Sequence, residues 1–347
     1  MKRAMSREYG PAESISIEPM APPVPGPGEI AVRVEAAGVT TADWRLRAAA
    51  FPGASALFGR LLFGLRRPRQ PVRGTDFAGH VTAVGSGVTR FDVGDAVVGI
   101  RKAGGAHADA LVIAETEIVL RRPEGLSAAE AAALPFGALT AHAFLHEVAR
   151  VSAGQRVLIL GASGAVGNYA VQLAVAAGAH VTAVAGAAAQ ARLREMGAER
   201  TIDYTEAPIT AEDGGFDLIF DTAGVLRFAQ AADLLHPKGV FLPLEFGLGD
   251  APRALWQRLH GGPRLVLHVS TERRSDLEQL LALVARGALR PVIGARLPFA
   301  QIVEAYRRVE SRHAGGPVVV EMGQPDEEIA PSDQSNGKGR KKGPVAA

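Results

Sequence analysis

Residues 73–80 read RGTDFAGH, an aspartate and a histidine four positions apart among small and apolar neighbours. A carboxylate and an imidazole together suit metal ligation or proton transfer. Spacing decides whether they can cooperate. Positions i and i+4 meet on a helix, but on a strand 76, 78, 80 and 82 share one face, with Asp76 and His80 two pleats apart. The surrounding DFAGHVTAVGSGV (76–88) alternates like a strand running into a Gly-Ser-Gly turn. His80 is therefore expected on a strand surface, and the pair is not expected to chelate an ion.

A second chemical pattern lies in VLILGASGAVGNYAVQLA (157–174). A buried strand runs into Gly161-x-x-Gly164-x-x-Gly167, and a helix begins within the loop. A pyrophosphate needs close approach to the backbone, which a side chain at Gly164 would obstruct. The N–H groups of Ser163, Gly164, Ala165 and Val166, at the positive end of the helix, are then expected to hold the anion. Gly167 allows close helix–strand packing. The pattern departs from G-x-G-x-x-G, with Ala162 where the first glycine would fall. The next strand ends in Ala185, Gly186 and Ala187, with no acid to bond a ribose 2′-hydroxyl, so NADP(H) is expected over NAD(H). Arg192 and Arg194 are either partners of a 2′-phosphate or solvated helix residues, and Tyr204 is expected near the adenosine. Thr222, Ala223 and Gly224 follow the strand DLIFD at the edge where such sheets bind nucleotides. Leu244 and Val269 follow later strands and are expected to line the nicotinamide pocket.

Two kinds of element must position these residues. Up to about residue 123 the chain is short β-like runs punctuated by glycine and proline, which suggests a compact antiparallel barrel. From Ser127 the texture becomes helical, with Ser127 and Glu130 at capping-box spacing and one helix expected over 127–149. Strand–helix alternation follows, through RVLILG, HVTAVAG, RTID, FDLIFD, GVFLPL and RLVLHVS (264–270), as in a parallel sheet covered on both faces. The segment 275–289 reads as a helix and 315–322 as a closing strand. The division expected is 1–123 with 271–323, then 124–270, then a disordered tail over 324–347.

Composition narrows the chemistry. The 347 residues contain no cysteine, which removes disulfides, thiolate catalysis and every zinc site built on cysteine. A formal charge of +2 gives no basic surface for nucleic acid. No stretch reads as a membrane span, and the charged start MKRAMSREYG has no apolar run of a signal peptide behind it, so a cytoplasmic protein is expected.

GTDFAGHVTAVGSGVTRFDVGDAVVG (74–99), ALPFGALTAHAFL (133–145), GASGAVGNYAVQLA and FDLIFDTAG occur in the order seen in the medium-chain dehydrogenase/reductase superfamily. Over about residues 15–323 the chain resembles its zinc-independent quinone oxidoreductase branch. The resemblance implies an α/β protein: a GroES-like β-barrel catalytic domain made from both chain ends, and a doubly wound Rossmann domain between them. It also implies an active site in the cleft, homodimers, and hydride transfer from NADPH to a quinone or α,β-unsaturated carbonyl. Zinc-dependent relatives place ligands where this chain has Thr40, Thr75 with Asp76, and Phe136, so no zinc is expected. Thr40, Asp43 and Thr75 remain as polar contributors to catalysis, with Asp43 favoured as an orienting residue. Thr140 matches a residue that the family places close to the nucleotide.

Trp44 either walls the acceptor site or packs in the core, the latter being favoured. The segment 48–73, with Phe51, Leu57, Phe58, Leu61, Leu62 and Phe63, either rims the acceptor site or packs on the β-module. Two other functions stay open: an enoyl-thioester reductase using Arg66, Arg67 and Arg73, and a non-catalytic NADP(H)-binding scaffold or redox sensor.

Overall fold

The computed structural model describes residues 1–50, 55–210, 213–246 and 261–323, without the side chains of 55–58. Phe51, the side chains of Leu57 and Phe58, and the expected tail over 324–347 lie outside the described residues.

The first unit contains β1 (Lys2–Met5), β2 (Ser16–Pro19), β3 (Glu29–Val39), β4 (Asp76–Val84), β5 (Ala96–Ile100), β6 (Ala110–Ala114) and β7 (Ile118–Arg121). Helices α1 (Thr41–Ala48) and α2 (Ser55–Phe63) lie between β3 and β4. The second unit runs α3 (Ala128–Ala132), α4 (Pro135–His142), β8 (Arg156–Leu160), α5 (Gly167–Ala176), β9 (His180–Ala185), α6 (Gln190–Glu195), β10 (Arg200–Asp203), β11 (Phe216–Asp221), α7 (Phe228–Leu234), β12 (Leu235–Pro243) and β13 (Arg264–Leu265). The chain then forms α8 (Arg274–Ala285), β14 (Ala295–Pro298), α9 (Ile302–Glu310) and β15 (Val318–Glu321).

The chain end completes the sheet begun near its start. β15 pairs antiparallel with β3, Val318 facing Val39, and β14 pairs with β15. The order is β14-β15-β3-β4-β5-β7, with β6 also on β3. Alternating apolar residues of these strands, such as Val32, Val34, Val81 and Val97, meet in one core. His80 stands at the surface of β4 and pairs with Glu35, as a strand-surface histidine should.

The second sheet is parallel, in the order β10-β9-β8-β11-β12-β13. Its strands are nearly continuous apolar runs because helices cover both faces. Strand order reverses between β8 and β11, and ligands of such sheets bind outside the carboxyl ends at that point. One core runs from Ala78 and Val98 of the first sheet through α3 and α4 into the second, joining the two units.

Two expectations on elements are corrected. Residues 127–149 are three pieces: α3, α4 and a π turn over Ala143–Val148. Pro135 takes the first position of α4, where its missing N–H costs nothing, so it starts a new helix. The run 264–270 is a strand only at Arg264–Leu265. These two residues pair with Val240 and Phe241 of β12, which ends at Pro243, a residue without an N–H to extend the ladder.

Candidate functional site

Two sets of hydrogen bonds, joined through the backbone from Gly74 to Thr75, run from α1 to α4. Thr40 caps α1: its hydroxyl donates to Asp43 Oδ2 at 2.7 Å and accepts from the Asp43 N–H at 3.1 Å. Asp43 Oδ2 also accepts from the Thr40 N–H, while its Oδ1 accepts from the Gly74 N–H at 2.9 Å. One residue on, the Thr75 hydroxyl donates to Asp76 Oδ1 at 2.8 Å. Asp76 Oδ2 then accepts from the Phe136 N–H at 2.7 Å. Asp76 is buried at the start of β4, and loss of hydration pushes its carboxyl up to about 7 against the opposing pull of those two donors. Its proton is therefore held near neutrality.

A buried network, not legible in the sequence, shapes the loop before Asp76. His107 Nε2 lies 2.9 Å from the Gly38 carbonyl and Nδ1 lies 3.2 Å from the Tyr306 hydroxyl. Burial holds this imidazole below its ordinary pKa, so it bridges β3 to α9 as a neutral ring. Gly74 has φ +85° and packs against it, and a Cβ there would fall 2.5 Å from the ring. Arg47 is fully buried, donates to the Gly10 carbonyl and Glu310, and stacks on Tyr306. Arg73 is buried as well and donates to the Leu46 carbonyl. Buried there, Arg73 is not placed beside Arg66 and Arg67 to meet a phosphate, as the thioester alternative required.

The phosphate loop joins these residues at α4. Gly137, next to Phe136, lies so near the loop that an added Cβ would fall 2.3 Å from the Ala165 carbonyl. Gly161 has φ +70°, and Gly167 is required for packing, since a Cβ there would fall 2.2 Å from the Gly161 carbonyl. Gly164 differs, because beyond the Gly161 carbonyl its Cβ position is open. The N–H groups of Ser163, Ala165 and Val166 have no acceptor among the described residues. Free N–H donors at a helix start suit an anion. The Gly164 N–H, expected to join them, is spent on the Gly161 carbonyl at 2.9 Å. Asn168, which the sequence did not single out, stiffens the loop by donating to the Ser163 and Gly164 carbonyls.

The neighbouring strand end is built by a second unrecognised residue. Asp221 is fully buried and accepts from the N–H groups of Ala223, Gly224, Val225 and Leu226, folding the turn after β11. Burial raises its pKa, against the pull of these four donors. An acid closing a buried strand before small residues is the signal that could have disclosed it. Thr222 bonds the Leu160 and Gly161 carbonyls across the sheet's reversal. Thr140 turns its hydroxyl back to the Phe136 carbonyl.

Elsewhere the expected residues are spread along the sheet's carboxyl edge. Ala185 ends β9 and Gly186 follows it, with the Tyr204 ring beside Gly186. Leu244 follows β12 and is bonded to Asp221 through its N–H. Val269 is 73% exposed. Arg192 donates to the Gly315 carbonyl, so it is not the solvated residue considered from sequence, and Arg194 is exposed. Trp44 is half-buried against the core of the first sheet. Leu61 and Leu62 are exposed on α2, away from the β-module core.

The donor set at the places of a catalytic zinc does not fit that metal. The Thr40 hydroxyl is committed to Asp43, both Asp76 oxygens are engaged, and Phe136 offers no ligand atom. His142, Glu147 and Asp276 bring ligand atoms within 4.8 Å of one another at a separate place. There Arg273 pairs with both carboxylates and supplies their counter-charge.

Comparison with known proteins agrees with this architecture. The alcohol dehydrogenase GroES-like domain family matches residues 26–124, and the family described as zinc-binding dehydrogenase matches 196–320. The quinone-oxidoreductase homolog, chloroplastic, of Spinacia oleracea is 32% identical over 90% of this chain and 95% of its own. The NAD(P)H oxidoreductase RTN4IP1, mitochondrial, of Homo sapiens is 32% identical over 87% of this chain and 84% of its own. The structure of the quinone oxidoreductase from Coxiella burnetii superposes with a TM-score of 0.80 at 26% identity, over 92% of this chain and 99% of that one. The chain is an oxidoreductase of the medium-chain dehydrogenase/reductase superfamily and belongs to its quinone oxidoreductase-like branch.

Proposed function

We propose that this protein is a zinc-independent, NADPH-dependent reductase of quinones or α,β-unsaturated carbonyls. The observation that carries the reading is Asp76. The one carboxylate at the expected zinc position has both oxygens engaged by Thr75 and Phe136, and it keeps a proton near neutral pH.

Bound along the sheet's carboxyl edge, a reduced nicotinamide supplies a hydride. Ser163, Ala165 and Val166 hold its pyrophosphate, and Gly164 leaves room for the approach. The lack of an acid after β9 supports NADPH over NADH, with Tyr204 at the adenosine end. With no metal to stabilise a developing alkoxide, a conjugated acceptor is favoured because its charge spreads over several atoms. In the reaction the Thr75 hydroxyl turns from Asp76 and gives its proton to the acceptor oxygen, the protonated Asp76 Oδ1 donates its own proton to Thr75 Oγ1, and the resulting carboxylate is reprotonated from solvent back through Thr75. Thr40 and Asp43 orient the loop that carries Thr75. A homodimer is the assembly we propose.

Among the described residues no helix is long and apolar enough to cross a membrane.

The test is an acceptor screen. Oxidation of NADPH and NADH is followed with 1,2-naphthoquinone, 9,10-phenanthrenequinone, simple enones and an enoyl-CoA. Turnover of quinones or enones with NADPH preferred is expected. A silent screen despite tight NADPH binding would overturn the reading in favour of a scaffold.

A further inference from the structure

Where α1 meets the carboxyl ends of β11 and β12, two arginines surround one indole and one carboxylate. Arg45 of α1 pairs with Glu245 at 2.6 Å, and Arg312, just beyond α9, donates to both Glu245 oxygens at 2.9 and 3.2 Å. The two guanidinium carbons lie 6.0 and 5.9 Å from the centre of the Trp44 ring. Arg312 also donates to the Ala223 carbonyl, and its backbone has a φ of 59°. That left-handed conformation carries strain in a non-glycine residue, and it sets this guanidinium beside Glu245 and Trp44.

The cluster joins the two units. Trp44 and Arg45 stand on the helix capped by Thr40, whereas Ala223 and Glu245 stand at the carboxyl ends of β11 and β12. Glu245 lies over Gly224, where a Cβ would be 3.4 Å from its carboxylate. Two guanidiniums here share one carboxylate, leaving a formal surplus of one positive charge beside an aromatic face. The side chains of Arg45, Arg312 and Glu245 are 23%, 47% and 25% exposed, so the group is reachable from solvent. A planar carboxylate beside a flat ring suits such a fork. The cofactor's pyrophosphate has its own donors at the end of β8, which leaves this anion site to the other substrate.

We infer that Arg45, Trp44 and Arg312 form a subsite for an aromatic acceptor bearing a carboxylate, and that Glu245 fills it until such an acceptor arrives. The inference rests on the reductase reading for the identity of the ligand as acceptor. On binding, the ligand's carboxylate exchanges with that of Glu245, and its ring lies against Trp44.

Trp44 supplies a readout without turnover, because the chain has two tryptophans and Trp256→Phe leaves it alone. In that background, with NADP⁺ saturating, Trp44 fluorescence is titrated with naphthalene-2-carboxylate and with the neutral naphthalene-2-carboxamide. The carboxylate is expected to quench and to bind about 10-fold more tightly than the amide, the worth of a charge-assisted pair. Arg45→Gln and Arg312→Gln each bring that ratio close to one, Glu245→Gln raises it, and none changes the Kd for NADP⁺ more than about 2-fold. Equal binding of the two compounds, or no quenching by the carboxylate, would overturn the inference. So would arginine variants that weaken NADP⁺ and leave the ratio unchanged, which would assign the site to a cofactor phosphate. A failed acceptor screen would sink the reductase reading without altering this titration.

Discussion

Asp76 and Phe136 are joined by a 2.7 Å hydrogen bond from the Phe136 N–H to Asp76 Oδ2, across two positions where zinc-dependent relatives place metal ligands. The bond ties the start of β4 to the first turn of α4. The other oxygen of this buried carboxyl accepts from the Thr75 hydroxyl.

The Asp76 carboxyl makes stability depend on pH. Its folded pKa of about 7 lies above the reference value of 3.8, so the folded state binds the extra proton between the two. The contribution is therefore complete below about pH 4 and lost as pH rises to about 7, on the order of 4 kcal/mol in all. Asp76→Asn should remove this loss. Chemical denaturation from pH 4 to 8 should show the wild type falling relative to the variant over that window, and parallel curves would contradict the buried neutral acid.

Thr75→Val keeps the side chain's shape and removes the hydroxyl. We expect kcat to fall about 100-fold, the usual worth of a positioned proton donor, with the Kd for NADPH unchanged. Steady-state kinetics and a binding titration on the same preparation separate the two effects. Unchanged kcat would take Thr75 out of the proton path.

The two loop glycines should respond oppositely. Gly164→Ala meets only the Gly161 carbonyl at 3.2 Å, so stability should change by less than about 1 kcal/mol while NADPH binds roughly tenfold more weakly. Gly167→Ala places a methyl 2.2 Å from a carbonyl oxygen and should cost about 3 kcal/mol or more in stability. Thermal melts and fluorescence titrations check both. Equal behaviour of the two variants would contradict the division between ligand clearance and packing.

Thr40 is a positioning residue, its hydroxyl both donating to and accepting from Asp43. Thr40→Ala should lose about 1 kcal/mol of stability with the cap and lower kcat, and Thr40→Ser should restore both. A serine variant as impaired as alanine would show that the methyl, and not the cap, matters.

The strands, the glycine loop and the Ser127–Glu130 capping box were legible in the sequence because period and local spacing specify them. The charge of Arg73 looked like surface, since nothing local shows that the Leu46 carbonyl waits for it inside. His107, Tyr306 and Arg47 are bound by contacts between segments distant in sequence, so no short spacing announces them. The strand expected over 264–270 fell short for the opposite reason. A strand period continues past Leu265 in the sequence, but the neighbouring strand ends in a proline and gives it nothing to pair with.

The most direct measurement follows deuterium from NADPH carrying deuterium at both C4 positions of the nicotinamide into a simple enone, using protein dialysed exhaustively against a chelator. The account predicts one deuterium at the β-carbon of the saturated ketone, one solvent proton at the α-carbon, and a rate untouched by chelation. Product without deuterium, or activity lost on chelation and restored by zinc, would contradict it.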